Sequence, residues 1–469
     1  MVNRAIAWSL LSVLWISQIA AAAPVAITES DQRDMMVTVY NGNLGLVKDT
    51  REARLESGTI EAQFADVAAL IDPTSVHVKS LTDPTGLAIL EQNYEYDLLT
   101  SDKLMEKYVG KKVRLYQGNG SYQTATLLST SGPVWDIDGQ IHIGGFGSVV
   151  LPALPENLVS RPSLVWLLRN ARPAPQRIEA SYLTAGLSWK ADYVMVVDAA
   201  DAKGDLTGWV TLDNKSGATY RNASLKLVAG DINRAVSRDE SRKVMELAAL
   251  AAPTSDGSRE FTSEGFFEYH LYTLDGRTTL KDKQTKQLSL LSATGVPVEK
   301  RFIYYGAADH FRAQHGTPMS NQKVGVYLEI ANSRDNHLGL PLPKGKVRVY
   351  KADAGGSQQL IGEDWIDHTP KDERVKIKMG QAFDVVGERV QKDWKKIGPS
   401  LYEVEWAISL RNHKQEAITV EVIEPVPGDW EVLRSSLPYE KMEAFTLRFR
   451  VPVPKDGEAK LEYRVRVRF

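Results

Sequence analysis

Apolar and polar positions alternate along most of the chain with the period of half-buried strands, and the alternation repeatedly runs out into an asparagine. Val37, Val39 and Asn41 form one case, and Val210, Leu212 and Asn214 a second. Val326, Leu328, Ile330 and Asn332 form another, as do Trp406, Ile408, Leu410 and Asn412. Each asparagine stands two residues after an inward-pointing apolar side chain, which is the strand period. Asparagine suits the turn that follows, because its side chain bonds nearby backbone and tolerates left-handed dihedrals. The pattern predicts stacked antiparallel β units. The plainest strand is the last. Leu461, Tyr463, Val465, Val467 and Phe469 face one way, and Glu462, Arg464, Arg466 and Arg468 the other. A terminal Phe on such a strand is also a mark of outer-membrane barrels. The repeated ten-residue spans of those barrels are missing here, and charge on the second face of a sheet is the simpler reading.

The turns divide this β pattern. Asn41-Gly42-Asn43 joins two strands over 36–55, a strong hairpin signal because Asn and Gly accept positive φ. That hairpin is too small to bury a core alone. The strands of 35–95 are therefore expected to join the first sandwich, with the hairpin reaching the strands of 177–234. A short helix over 98–108 and five short strands fill 96–155, separated by Gly, Ser and Asp. This spacing predicts a small closed barrel of the SH3-like or Sm-like kind, or else a meander edging a larger sheet. Prolines punctuate the stretch from Pro152 to Pro175. A central β-sandwich is expected over 160–320, broken by a mobile excursion at 235–260 where apolar residues cluster without helical spacing. A middle β region over 321–400 and a C-terminal sandwich over 401–469 complete an all-β chain of tandem antiparallel, Ig- or fibronectin-like sandwiches.

Composition changes this picture only at the margins. With 469 residues the chain exceeds one ordinary core. Its formal charge of −2 gives no net pull on nucleic acid or anionic lipid. The N-terminus reads as an export signal over 1–22. Arg4 supplies the positive end, Ala5 to Ile19 the apolar stretch, and Ala20-Ala21-Ala22 a small-residue cleavage site. The alternative is an uncleaved anchor; no later window is a candidate transmembrane helix. The expected location is secreted or periplasmic. Cysteine is absent, so the domains are held by burial, without disulfides, thiol catalysis or Cys-based metal sites.

The stretch Ser181-Tyr-Leu-Thr-Ala-Gly-Leu-Ser-Trp-Lys-Ala-Asp-Tyr193 resembles the core signature of a large family of unknown function that includes mucoidy inhibitor A-like proteins. Trp209-Val-Thr-Leu-Asp-Asn214, Leu227-Val-Ala-Gly-Asp231, Phe267-Glu-Tyr-His-Leu-Tyr272, Gly339-Leu-Pro-Leu-Pro-Lys-Gly345 and Glu421-Val-Ile-Glu-Pro-Val-Pro-Gly-Asp-Trp430 continue the similarity. It covers about 160–469. The charged, coiled-coil-like insert of the longer members is missing. The resemblance implies an all-β exported protein and supplies no agreed activity.

Candidate chemistry is sparse. His310, next to Asp309, and His315 are spaced to share a cation, although a third strong ligand is undefined and a solvated loop is the plainer reading. In Glu363-Asp364-Trp-Ile-Asp367-His368, paired carboxylates suit glycoside hydrolysis or Ca²⁺. Against this, Glu363 and Asp364 adjoin on a strand and so face opposite ways. Gly230-Asp231-Ile-Asn233-Arg234 follows a strand end and either lines a cleft or forms a bend whose side chains bond backbone. Gly144-Gly-Phe-Gly147 precedes a strand and reads as a turn, since a phosphate loop needs a helix after it. No Gly-x-Ser-x-Gly elbow occurs. Most tryptophans at strand positions are expected in the core, while an exposed row would suit sugar stacking or protein contact. The candidate site residues are therefore Asp231, Asn233, Arg234, Asp364, Asp367, His368, His310 and His315, with no cofactor. The expected function is a non-enzymatic binding or scaffold protein of the cell envelope whose partner is an envelope protein or glycan. The alternative is a carbohydrate-active hydrolase or glycan-binding module.

Overall fold

The computed structural model describes residues 24–95, 100–116, 120–145, 147–153, 161–230 and 261–469, with backbone alone at 309, 310 and 321. The expected export signal over 1–22 and the expected excursion at 235–260 lie outside the described residues. Strand accounts for about 67% of the chain and helix for 5%, which makes it all-β. The chain forms two compact units, neither continuous in sequence. One holds Met1–Met35 and Lys48–Leu183, the other Met36–Val47 and Thr184–Phe469.

The first unit contains a sheet of order Val25–Ile27, Gly58–Ala65, Ser163–Asn170 and Leu87–Glu95. Val25–Ile27 pairs in parallel and the rest antiparallel. Phe64 and Trp166 meet on its buried face with ring centroids 5.1 Å apart. The 96–155 region holds a short helix, Ser101–Lys107, with the Thr100 hydroxyl accepting from the Lys103 N–H as an N-cap. Its five strands run in the order Gln140–Ile143, Val134–Ile137, Tyr122–Ser129, Lys112–Tyr116 and Ser148–Val150. Each neighbouring pair is antiparallel. Tyr108, Val113, Leu115, Ala125, Leu127, Trp135 and Ile137 form the core beneath. The expected closed barrel is corrected here. Among the described residues no ladder joins Gln140–Ile143 to Ser148–Val150, so the sheet is open. Those two end strands are only four and three residues long, and each pairs with one neighbour alone.

In the second unit, Met36–Tyr40 pairs in parallel with Ser224–Val228. A five-stranded sheet runs Gln284–Pro297, Lys203–Asn214, Leu187–Val197, Gly345–Ala352 and Gln358–Ile366. A nine-stranded sheet runs Asp429–Ser435, Gly457–Arg468, Leu401–Asn412, Arg374–Gly398, Met319–Ala331, Glu299–Tyr305, Ile418–Pro425, Thr446–Val453 and Tyr439–Glu443. Phe449 lies 5.2 Å from Tyr463 although their strands are far apart in that order, so the sheet folds over and its two halves enclose one core. The alternation of the last strand holds: Leu461, Tyr463, Val465 and Val467 are fully buried, and Phe469 packs at the margin.

The asparagines at strand ends do more than turn the chain locally. Asn332 donates to the carbonyls of Leu340 (2.8 Å) and Pro370 (3.0 Å) and accepts from the Gly339 N–H (3.0 Å). Asn214 donates to Ala218 and Lys281, and Asn412 to Glu416 and Pro454. Each is buried and ties its own turn to a loop distant in sequence. Asn170, two residues after Leu168, repeats this in the first unit by bonding the carbonyls of Leu55, Glu56 and Arg172. The left-handed conformation expected at the first hairpin falls on Asn43 (φ 53°), not on Asn41.

Candidate functional site

Successive strands of the nine-stranded sheet turn alternate residues outward, and on one stretch these residues line a cleft of about 280 Å³. Phe302 and Tyr304 point into the core, so Arg301, Ile303 and Tyr305 face the cleft. By the same parity Val420 and Val422 point inward, while Glu421 and Ile423 line the cleft. Glu329, Lys376, Thr446 and Arg448 join from other strands, and Met442 and Glu443 come from the sheet's last strand.

Arg301 sits at the centre of an ion-pair network. Its Nη1 lies 2.8 Å from Glu329 Oε2 and its Nε 2.8 Å from Glu421 Oε1. The other oxygen of Glu421 lies 3.7 Å from Arg448, which also binds Glu440. Arg374 reaches Glu299 at 3.1 Å and Glu329 at 3.7 Å. Burial works against the Arg301 charge, but Glu329 and Glu421 outweigh it and raise its pKa. Above this floor stand Tyr305 and Met442, each about half exposed. Lys376 Nζ lies 4.4 Å from the Tyr327 ring centre. Burial, the neighbouring Tyr305 and Asp364 push the Tyr327 hydroxyl up. The cleft is thus a fixed polar floor with an apolar rim. Both floor carboxylates are paired with guanidinium groups, an arrangement suited to orienting a ligand.

Of the candidate site residues singled out in the sequence, none of the described ones lines this cleft. Asp231, Asn233 and Arg234 lie outside the described residues. His310 belongs to the 3-10 helix Ala308–Phe311, and its side chain is outside the description. The His315 backbone N–H donates to Gln391 Oε1 (2.7 Å). Glu363 faces outward, bonded by Lys346 (2.8 Å) and Arg348 (2.9 Å), and its carboxyl is held below the usual range first by Lys346. Asp364 accepts the Lys378 N–H (2.6 Å), bracing its strand against Arg374–Gly398. Asp367 is exposed, and His368 Nδ1 accepts the Lys344 N–H (3.2 Å). Glu363 and Asp364 act as braces, not as a facing pair. Among the described residues no group of three or more His, Asp or Glu is placed to hold a metal. Nor is any described helix long and apolar enough to cross a membrane. Trp135, Trp166, Trp189 and Trp406 are core residues, whereas Trp365 is exposed beside Lys346.

Sequence reasoning missed the cleft because its residues come from six strands between 299 and 448 and share no local motif. The available signal was Glu421, an acid set between Val420 and Val422 in a largely apolar strand. No protein-family model and no curated protein matches this chain.

Proposed function

We propose that this chain is an exported, non-enzymatic binding or scaffold protein of the cell envelope, related to the mucoidy inhibitor A-like family, and that it holds an envelope partner at the Arg301 cleft. One observation carries the reading: Arg301 is locked between Glu329 and Glu421 beneath the exposed Tyr305 and Met442. A preorganised polar floor with an apolar rim is the anatomy of a recognition surface. Export rests on the Arg4-to-Ala22 pattern. A protein is the favoured partner. Trp365, an exposed ring over a Lys346–Glu363 pair, supports glycan stacking as a second reading.

The test is titration of the mature chain against separated envelope protein and glycan fractions. The expected result is saturable binding to the protein fraction. The double substitution Y305A/M442A should weaken it at least about tenfold without lowering the unfolding midpoint. Binding to glycan that is lost with W365A instead supports the second reading. No saturable binding to either fraction overturns both.

A further inference from the structure

The strands Phe261–Phe266 and Tyr269–Leu274 form a hairpin in which Phe266 pairs with Tyr269, leaving Phe267 and Glu268 as a two-residue loop. Such loops demand positive φ at their first central residue and favour Gly, Asn or Asp there. Phe267 takes that position with φ 57°. The other non-glycine residues with positive φ are Asn43, Asp66, Asp138, Asp201, Asn222, Lys283, His337, Asp372 and Asp456. All of them are polar, so Phe267 alone among the described residues sets a bulky apolar side chain on a left-handed backbone, which is strained. The strain is not offset by burial. Phe267 is 87% exposed and Phe266 59%. Glu264 and Glu268, both exposed, flank the rings. A conformation that costs stability in order to present two aromatic rings to solvent has the signature of a recognition element.

We propose that this hairpin tip is a docking knob, and that Phe266 and Phe267 enter an apolar pocket with a basic rim on a protein partner. Aromatic side chains are the commonest anchors of such pockets. The two glutamates select the rim by charge and repel the anionic surface of a membrane. The inference rests on the binding reading above but uses a separate surface from the Arg301 cleft.

The test replaces Phe267, Phe266 or, as a control, the exposed Phe383 with photoreactive benzoylphenylalanine in the full chain, irradiates intact cells, and then titrates the purified cross-linked protein against variants. The expected result is a covalent protein adduct from positions 266 and 267 and not from 383. F267N should weaken binding to that purified protein at least about tenfold, while its unfolding midpoint equals or exceeds the wild type, because Asn accepts positive φ. E264K/E268K should weaken it as well, most strongly at low salt. A lipid adduct, no adduct, an equal adduct from 383, a lower midpoint for F267N, or binding unchanged in F267N would each overturn the knob. Binding lost with Y305A/M442A but intact in F267N overturns the knob and leaves the function reading standing.

Discussion

Each unit buries an arginine against an aromatic ring and pairs it with a carboxylate, but the two pairs are built differently. In the first unit Arg51 and Asp49 lie two apart on one strand, and so on the same face. Arg51 Nε (3.0 Å) and Nη2 (2.7 Å) both bond Asp49 Oδ2. Its Nη1 bonds the carbonyls of Ile27 (3.0 Å) and Ala65 (2.7 Å), and the guanidinium lies 3.9 Å above Phe64. Asp49 Oδ1 has no hydrogen-bond partner among the described residues. In the second unit Arg389 and Glu424 come from strands that are not neighbours and meet across the core. Nε bonds Oε1 (3.1 Å) and Nη2 bonds Oε2 (2.8 Å), with the guanidinium 3.5 Å from the Trp406 ring centre. Arg51 thus works chiefly as a clamp on backbone carbonyls, with Asp49 as its counter-charge. Arg389 has Glu424 as its principal bonding partner. Burial pushes both carboxyls up, against the pull of their arginines.

The largest effect is expected where the pair itself does the binding. E424Q should cost about 3–5 kcal/mol, because it leaves a buried guanidinium without its charge partner. D49N should cost less, about 1–3 kcal/mol, since Arg51 keeps two carbonyls and the new amide replaces an oxygen that bonded nothing. Urea unfolding of the two variants measures the gap, and equal losses would erase the distinction.

Next come N332A and N170A, one per unit. Each removes a buried side chain that satisfies carbonyls from separate loops and should cost about 1–3 kcal/mol. Similar losses, read from unfolding midpoints, would show that the first unit is not simply softer. A much smaller loss for N170A would reduce the ion-pair comparison to a general difference in rigidity.

The smallest effect belongs to the outward ladder of the last strand, where Arg464 bonds Glu405 (2.7 Å) and Asp393 (2.6 Å). Arg464 first, and Arg434 after it, hold the Glu405 carboxyl below its ordinary range. Its contribution is complete above the unfolded value of about 4.3 and is lost as pH falls through the lower folded value. E405Q should cost up to about 1 kcal/mol at pH 7, and the gap to wild type should close in acid. The buried Glu424 has the opposite sign, because the folded state binds its proton more tightly than the unfolded chain does. A stability–pH series for E405Q checks the direction.

The same physics explains what the sequence disclosed. Alternation reveals which face of a strand is buried, and so the last strand and the strand-ending asparagines were legible. It does not reveal which strands pair. The fold-over of the nine-stranded sheet, the cleft and the Arg389–Glu424 pair were therefore invisible, because each joins residues from strands distant in sequence. Asp49 and Arg51 sat in plain view at inward positions between Val47 and Ala53. Charge there contradicts the apolar pattern, and only a partner two residues away resolves it. The barrel expectation failed for a related reason: five short strands predict a small sheet, but closure depends on a ladder between its end strands that no local pattern encodes.

The division of the chain bears on the order in which the protein assembles. Met36–Val47 belongs with residues that begin at Thr184, while the stretches on either side of it belong to the first unit. Met36 pairs with Ser224, so this early segment waits for most of the first unit's sequence to follow it before its partner exists. Long-range parallel pairing of this kind is slow to nucleate. A chain emerging from its N-terminus first therefore passes through a stage in which Val37 and Val39 are an unsatisfied edge. No single cut can free the second unit intact, because its first strand would leave with the other fragment.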